Sequence, residues 1–352
     1  MDYKKEIEDL VNLILKESAS DLHLSVGRTP FIRSSGNLIP LMKKAVLTEA
    51  DMKGFMGVFL SPENNEILER ERDVDFSYGL THARFRGNVF FRQGVISIAL
   101  RLIPKAIRTL VELNLPPVLE SFSRKPQGFF LVVGPIGQGK TTTLASLVEL
   151  INQTRAEHIM TIEDPIEYIY ESKRSIIDQR EVRLDTPDFH KALTAMFRED
   201  IDVAMVGEMR DTATIATAVT AAETGHLILS TLHTNNAAQT VDRIIDSFPP
   251  SQQDQIRVQL ASSLTGIFSQ RLIPRVSGGL IPAYELLIAN NAVSNLIRER
   301  RTHELNTVIE TSSQEGMIDM NRSLAELVRS GEITVESAYL NSLNPKTLER
   351  MI

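Results

Sequence analysis

The sequence predicts an α/β protein built around a core of alternating strands and helices, preceded by a smaller α+β domain and followed by a helical subdomain. Three observations carry that expectation. From residue 118 to about 290, apolar strand-like runs alternate with amphipathic helical patterns. Four of those runs end in polar residues, as buried parallel strands do where they open toward a ligand. The first, Phe129 to Val133, leads into Gly134-Pro135-Ile136-Gly137-Gln138-Gly139-Lys140-Thr141, which fits G-x-x-x-x-G-K-[ST].

Taken in order, residues 2 to 17 place Ile7, Leu10, Val11, Ile14 and Leu15 on one face of a helix. Short strands follow: Leu22, Leu24 and Val26 alternate with polar neighbours, Phe31-Ile32-Arg33 precedes a Ser35-Gly36-Asn37 turn, and Val74, Phe76 and Tyr78 alternate again. Thr48 to Arg70 reads as helical. Along Ala83 to Arg92 the apolar Ala83, Phe85, Val89 and Phe91 oppose Arg84, Arg86, Asn88 and Arg92, so three arginines share one strand face. By spacing alone a solvated face is the plainer reading. Residues 1–102 are therefore expected to form the first domain. The segment 103–117, with Pro104 and Pro116-Pro117, is the expected linker. Residues 118–290 form the core, and 291–352 the helical subdomain.

In the loop after Val133, glycines let successive N–H groups turn inward around phosphate oxygens, and the helix that follows adds its positive dipole end. Lys140 is placed for the β/γ-phosphates of ATP, Thr141 for Mg²⁺, and Thr142 closes the cradle. His158 to Ile162 runs into Glu163-Asp164-Pro165, Val203 to Val206 into Gly207-Glu208, and Leu227 to Leu232 into His233-Thr234. Hydrolysis needs a carboxylate to orient water. Glu208 is the first candidate, and Glu163 is assigned to the Mg²⁺ and water environment, through water or an outer ligand. Asp164 serves equally as a turn residue. His226 and His233 are seven apart, on opposite strand faces, which argues against a metal pair. On spacing alone each histidine suits a structural role as well as a functional one. His233, at a strand end, is the better γ-phosphate sensor. Arg84 and Arg86 are candidates to supply transition-state charge across a subunit boundary. Asp211 is placed to cap the helix at Ile215 to Ala222.

Composition bounds the function. With 352 residues, 42% hydrophobic and 24% charged, the chain suits a globular protein rather than a disordered one. No apolar run approaches a membrane span, so a cytoplasmic protein without a transmembrane segment is expected. Zero cysteines exclude disulfides and cysteine zinc sites. A net charge of −7 argues against direct nucleic-acid binding.

Together these residues resemble the secretion and type IV pilus ATPases of the RecA-like superfamily. The phosphate loop is similar to the family's Walker A box, TIEDPIE at 161–167 to its acidic box, DVAMVGEMRD at 202–211 to its Walker B box, and GHLILSTLHT at 225–234 to its histidine box. The resemblance implies a homohexameric ATPase with an N-terminal PAS-like domain and a RecA-like core. It also implies functional roles for Glu163, Glu208, His226 and His233, and an inter-subunit role for Arg84 and Arg86. The short N-terminal domain and absent cysteines fit the retraction-type (PilT-like) branch best, as does AVSNLIRE at 292–299, where Ser294 replaces the usual arginine. Ile201 and Ser35 are further departures from the pattern. The run from His303 to Ile352 resembles the accessory PilU-type enzymes at least as much, and the two subtypes stay open. What the resemblance implies is a motor that hydrolyses ATP to power pilus retraction and twitching motility. It would dock on an inner-membrane pilus platform protein at the cytoplasmic face, beside a paralogous retraction ATPase. A pilus-extension or type II secretion ATPase, a RecA-like nucleic-acid translocase and a non-hydrolysing scaffold are the alternatives.

Overall fold

The N-terminal amphipathic pattern folds as α1 (Tyr3–Lys16), capped by Asp2 on the Lys5 N–H, and buries Ile7, Leu10, Val11 and Ile14. It belongs to the first of two units in the computed structural model, which describes residues 2–17, 19–34, 37–80, 83–103 and 106–352. The first unit comprises Met1–Ala106 with Pro165–Ile169, and the second Ile107–Asp164 with Tyr170–Ile352. The Ser35-Gly36 pair of the expected turn and Pro104 of the expected linker lie outside the described residues.

In the first unit, β1 (Asp21–Ser25), β2 (Phe31–Ser34) and β3 (Asn37–Pro40) precede helices α2 (Glu49–Phe59) and α3 (Pro62–Glu71). Strands β4 (Asp73–Leu80), β5 (Ala83–Arg92) and β6 (Val95–Ile103) follow. The stretch read as one helix from Thr48 is two, because Pro62 cannot donate a helical hydrogen bond and instead opens the second helix, with Ser61 capping Asn64. The antiparallel sheet runs β3-β2-β1-β6-β5-β4. Its inward residues, among them Leu22, Phe76, Phe85, Val89 and Leu100, share a core with α1 and α2.

The second unit contains α4 (Glu120–Ser123), β7 (Gly128–Val133), α5 (Lys140–Thr154), β8 (His158–Glu163), β9 (Ile176–Glu181), α6 (Phe189–Met196) and β10 (Val203–Val206). After these come α7 (Thr212–Glu223), β11 (Leu227–Leu232), α8 (Ala237–Asp246), α9 (Pro250–Ser263), β12 (Leu264–Pro274) and β13 (Leu280–Ile288). Its sheet is ordered β13-β12-β7-β11-β10-β8-β9. Every pair is parallel except β12–β13. Parallel strands covered on both faces read as unbroken apolar runs, and β7, β10 and β11 are buried throughout. Each fully buried Leu, Val or Phe contributes about 1.5–3 kcal/mol. Because β7, β11, β10 and β8 are adjacent and parallel, their carboxyl ends open on one edge.

Residues 107–117, expected as part of a linker, belong to the second unit, where Leu110 and Leu115 are buried. The C-terminal region is helical and packs in two places. Helices α10 (Asn291–Arg298) and α11 (Leu305–Thr311) add Val293, Ile297, Leu305 and Ile309 to the main core. Helices α12 (Met320–Arg329), α13 (Val335–Asn341) and α14 (Pro345–Glu349) form a smaller cluster with Ile273, Ile281 and Ala283 of β12 and β13. Among the described residues, no helix is long and apolar enough to cross a membrane.

Candidate functional site

The phosphate loop follows β7 directly. Gly134 sits at φ +146°, and a Cβ there would stand 2.4 Å from the Gln270 carbonyl oxygen, so only glycine lets the loop lie this close to β12. Helix α5 begins at Lys140 with Gly139 at its N-cap and no side-chain cap. Its first N–H groups thus lack the side-chain acceptor that most helices carry there, and with the helix dipole they form an anion seat. Lys140 Nζ donates to the carbonyls of Gly134 (2.8 Å) and Pro135 (2.9 Å) and lies 3.2 Å from Nδ1 of His233. These features fit a nucleotide polyphosphate. Among the described residues no cluster of three His, Asp or Glu side chains could hold a metal alone. The donor set instead suits Mg²⁺ that arrives with its nucleotide, one hydroxyl (Thr141) adding to phosphate oxygens and water.

Two of the predicted strand-end residues, His233 and Glu208, meet beside this loop. His233, at the end of β11, spans the gap between Lys140 and Glu208, with its Nε2 3.9 Å from Glu208 Oε2. The other Glu208 oxygen takes a 2.6 Å ion pair from Arg210. Burial and the neighbouring Lys140 charge hold the His233 ring below the usual histidine range, against the upward pull of Glu208. His233 is therefore neutral near pH 7, and its Nδ1 can accept from the lysine. Hydrogen bonds to the backbone fix these ends to one another: Gly207 N–H donates to Ile162 O (2.8 Å), and the Thr231 hydroxyl Oγ1 donates to Gly207 O (2.6 Å). Asp211 caps α7 as expected, accepting from the Thr214 N–H.

Glu163 is buried at the end of β8, accepting from Thr161 Oγ1 at 2.8 Å. Its strand lies three places from β7, roughly 14 Å at ordinary strand spacing. Asp164 pairs with Arg183 at 3.4 Å, and after it the chain passes to the first unit until Ile169. His226 lies elsewhere: it precedes β11, roughly 20 Å of strand from His233, where its Nδ1 donates to Ala221 O and its ring meets Phe197 edge-on. The structure does not bring it to the strand-end crevice. Within the first unit, Arg84 donates to Ser77 Oγ (3.1 Å), while Arg86 pairs with Asp75 (3.9 Å) and Glu167 (3.6 Å). Arg86 also lines a cavity of about 420 Å³ with Asp21, His23, Arg101 and Glu167.

Sequence reasoning missed two further parts. A cavity of about 480 Å³ opens beside Gly139, Thr142 and Thr143, with Leu272, Leu280 and Pro282 as apolar lining and Arg108, Glu112 and Arg275 as polar groups. Its only sequence signal is the Gly278-Gly279 turn. The second is β12, whose alternate side chains grip two loops. On one face Gln270 donates to Gln138 O (2.8 Å) and accepts from Thr143 Oγ1 (2.7 Å), and Leu272 N–H donates to Gln138 Oε1 (2.6 Å). On the other, Ser269 Oγ donates to Asn235 O (2.8 Å) and Arg271 reaches Asn235 Oδ1 (3.5 Å).

Comparison with known proteins agrees with this geometry. Residues 97–278 match the family model described as type II/IV secretion system protein. The type IV pilus retraction ATPase PilT of Pseudomonas aeruginosa is 41% identical over 95% of this chain and 97% of its own length. The type IV pilus ATPase PilU of the same organism is 35% identical over 99% and 91%. A crystal structure of the pilus retraction motor PilT with bound ADP superposes with a TM-score of 0.91 at 44% identity, covering 97% of this chain and 98% of that one.

Proposed function

This chain belongs to the type II/IV secretion system protein family and, within it, to the retraction-ATPase branch, and from that premise we propose that it hydrolyses ATP with Mg²⁺ to drive disassembly of a type IV pilus filament. The line Lys140–His233–Glu208 beside the phosphate loop carries the reading. Gly134 to Thr142 cradle the phosphates, Lys140 meets the β/γ-phosphates, and the nucleoside extends into the cavity beside Thr142 and Leu272. Thr141 would help hold Mg²⁺, which when bound would supply neutralising charge to the phosphates. Glu208 orients the attacking water and takes up its proton, with Glu163 supporting the water network. Neutral His233 reads the γ-phosphate position.

We take the active assembly to be a homohexamer, as the family resemblance implies. Arg84 and Arg86 complete the site from a neighbouring subunit. The motor docks on an inner-membrane platform protein at the cytoplasmic face, alongside a paralogous retraction ATPase. The higher identity to PilT than to PilU favours the principal retraction motor over the accessory one.

The test has a purified and a cellular arm. Glu208→Gln should keep ADP binding and lose turnover by on the order of 10²–10⁴-fold; full activity would remove the catalytic assignment. Deleting the gene should leave excess pili without twitching, whereas loss of pili would mean extension.

A further inference from the structure

We infer that Glu285 and Arg271 are positioning residues for the hydrolysis site: together they fix the segment 233–237, and through it His233. The inference rests on the reading of His233 as the γ-phosphate sensor. Glu285, 5% exposed in the middle of β13, has no part in the chemistry described above. Its Oε1 accepts from the N–H of Ala237 at 2.8 Å, the first residue of α8 and the fourth after His233. A carboxylate there is held by a charge-assisted bond and by the positive end of the helix dipole. Arg271 sends Nη2 toward Asn235 Oδ1 (3.5 Å) and Nη1 to the carbonyl of Asn341 in α13 (2.9 Å), while its Nε is buried without a hydrogen-bond partner. The segment between is tied at each step, by Ser269 Oγ to Asn235 O, Asn235 N–H to Gln239 Oε1 (3.2 Å) and Thr234 to Thr240 (2.7 Å).

Apolar residues of similar volume would fill these interior positions without the desolvation cost of two charged groups. What the charged groups supply is direction: each holds one point of the loop that ends at the catalytic histidine. The groups facing Glu285 are Arg271 from β12, Asp319 at the start of α12 and the Ala237 amide of α8. Burial pushes the Glu285 carboxyl up to about 7, against the downward pull of the Ala237 N–H; Asp319 adds to the rise and Arg271 opposes it. Proton uptake near neutrality would weaken the bond to Ala237 and loosen the segment, so His233 is held best when Glu285 is ionised.

Purified full-length protein tests this through the pH profile of ATP turnover. In the wild type kcat should rise through a limb near pH 7. Glu285→Gln should lose that limb and fall about fivefold in kcat at pH 8 with little change in KM, while Glu285→Asp should keep a limb. A Gln variant whose profile has the wild-type shape, whether at full or uniformly lowered activity, overturns the assignment. If the Gln variant fails to melt cooperatively, hydrogen exchange on the wild type decides. Opening of residues 233–237, corrected for intrinsic exchange, should be greater at pH 6 than at pH 8, and equal opening overturns the inference. His233→Asn separates the two levels: wild-type turnover there defeats the sensor reading itself, whereas loss of turnover with an unchanged Glu285→Gln profile defeats only the positioning pair.

Discussion

Replacing Gly134 with alanine measures how closely the phosphate loop depends on β12. The added Cβ would stand 2.4 Å from the carbonyl oxygen of Gln270, about 1 Å inside ordinary contact. The obstacle is backbone, paired with Tyr284 of β13 and next to the last β12–β7 pair, Ser269 with Val133, so no rotamer change relieves it. The φ of +146° adds strain of about 1–3 kcal/mol for a residue with a side chain. The loop must therefore move by about 1 Å, and a displacement of that size at a reacting centre costs on the order of 10²-fold in rate. Gly137→Ala is the control: it shares a left-handed φ of +78°, yet its Cβ would meet nothing within 4 Å. Steady-state ATPase assays, with melting temperatures to confirm folding, should show Gly134→Ala losing about tenfold more activity than Gly137→Ala. Adding Gln270→Ala should restore nothing, because the carbonyl remains. Equal losses in the two glycine variants, or rescue by Gln270→Ala, would refute the collision argument.

Two other outcomes follow from charge placement. Because burial and Lys140 lower the His233 pKa, the limb set by the neutral ring should lie in acid below the usual histidine range, separate from the Glu285 limb near pH 7 and readable alone in Glu285→Gln. Glu208→Gln removes the carboxylate that raises this pKa, so imidazole titration followed by NMR should move lower still; a midpoint above 6.5 would contradict the electrostatic account. Mixing Arg86→Ala subunits into wild-type assemblies should depress ATPase activity below the wild-type fraction, since each defective subunit spoils a neighbour's site; strict proportionality to wild-type content would place the arginine outside it.

The phosphate loop, the four strand exits and the capping Asp211 were legible because they depend on local patterns: glycine spacing, unbroken apolar runs and a cap three residues from its amide. Strands β9 and β12 and helices α8 and α9 were not. β9, Ile176–Glu181, is a polar strand at the sheet edge. In β12 Ser269, Gln270 and Arg271 interrupt the apolar run because each is committed to a loop far away in sequence. The carboxylate of Glu285 looks like any polar residue in a strand, and only the distant start of α8 gives it a partner. His226 sits at the other end of β11 from His233, as their spacing of seven predicts, so sharing a sequence box does not bring two residues to one strand end. The Pro62 break could have been read locally, since a proline after a serine is itself a helix-start signal.

β12 carries a consequence for how this protein can change over time. Its neighbouring residues belong to opposite sides of the sheet, so Gln270 serves Gln138 while Arg271 serves Asn235, and the assignment is one of parity. A substitution at either position disturbs one loop. A single-residue insertion or deletion upstream within the strand would exchange the two sides, turning a guanidinium toward the phosphate cradle and an amide toward the histidine loop. The length of this strand is therefore under tighter restraint than its composition, and divergence here should proceed by replacement rather than by gain or loss of residues.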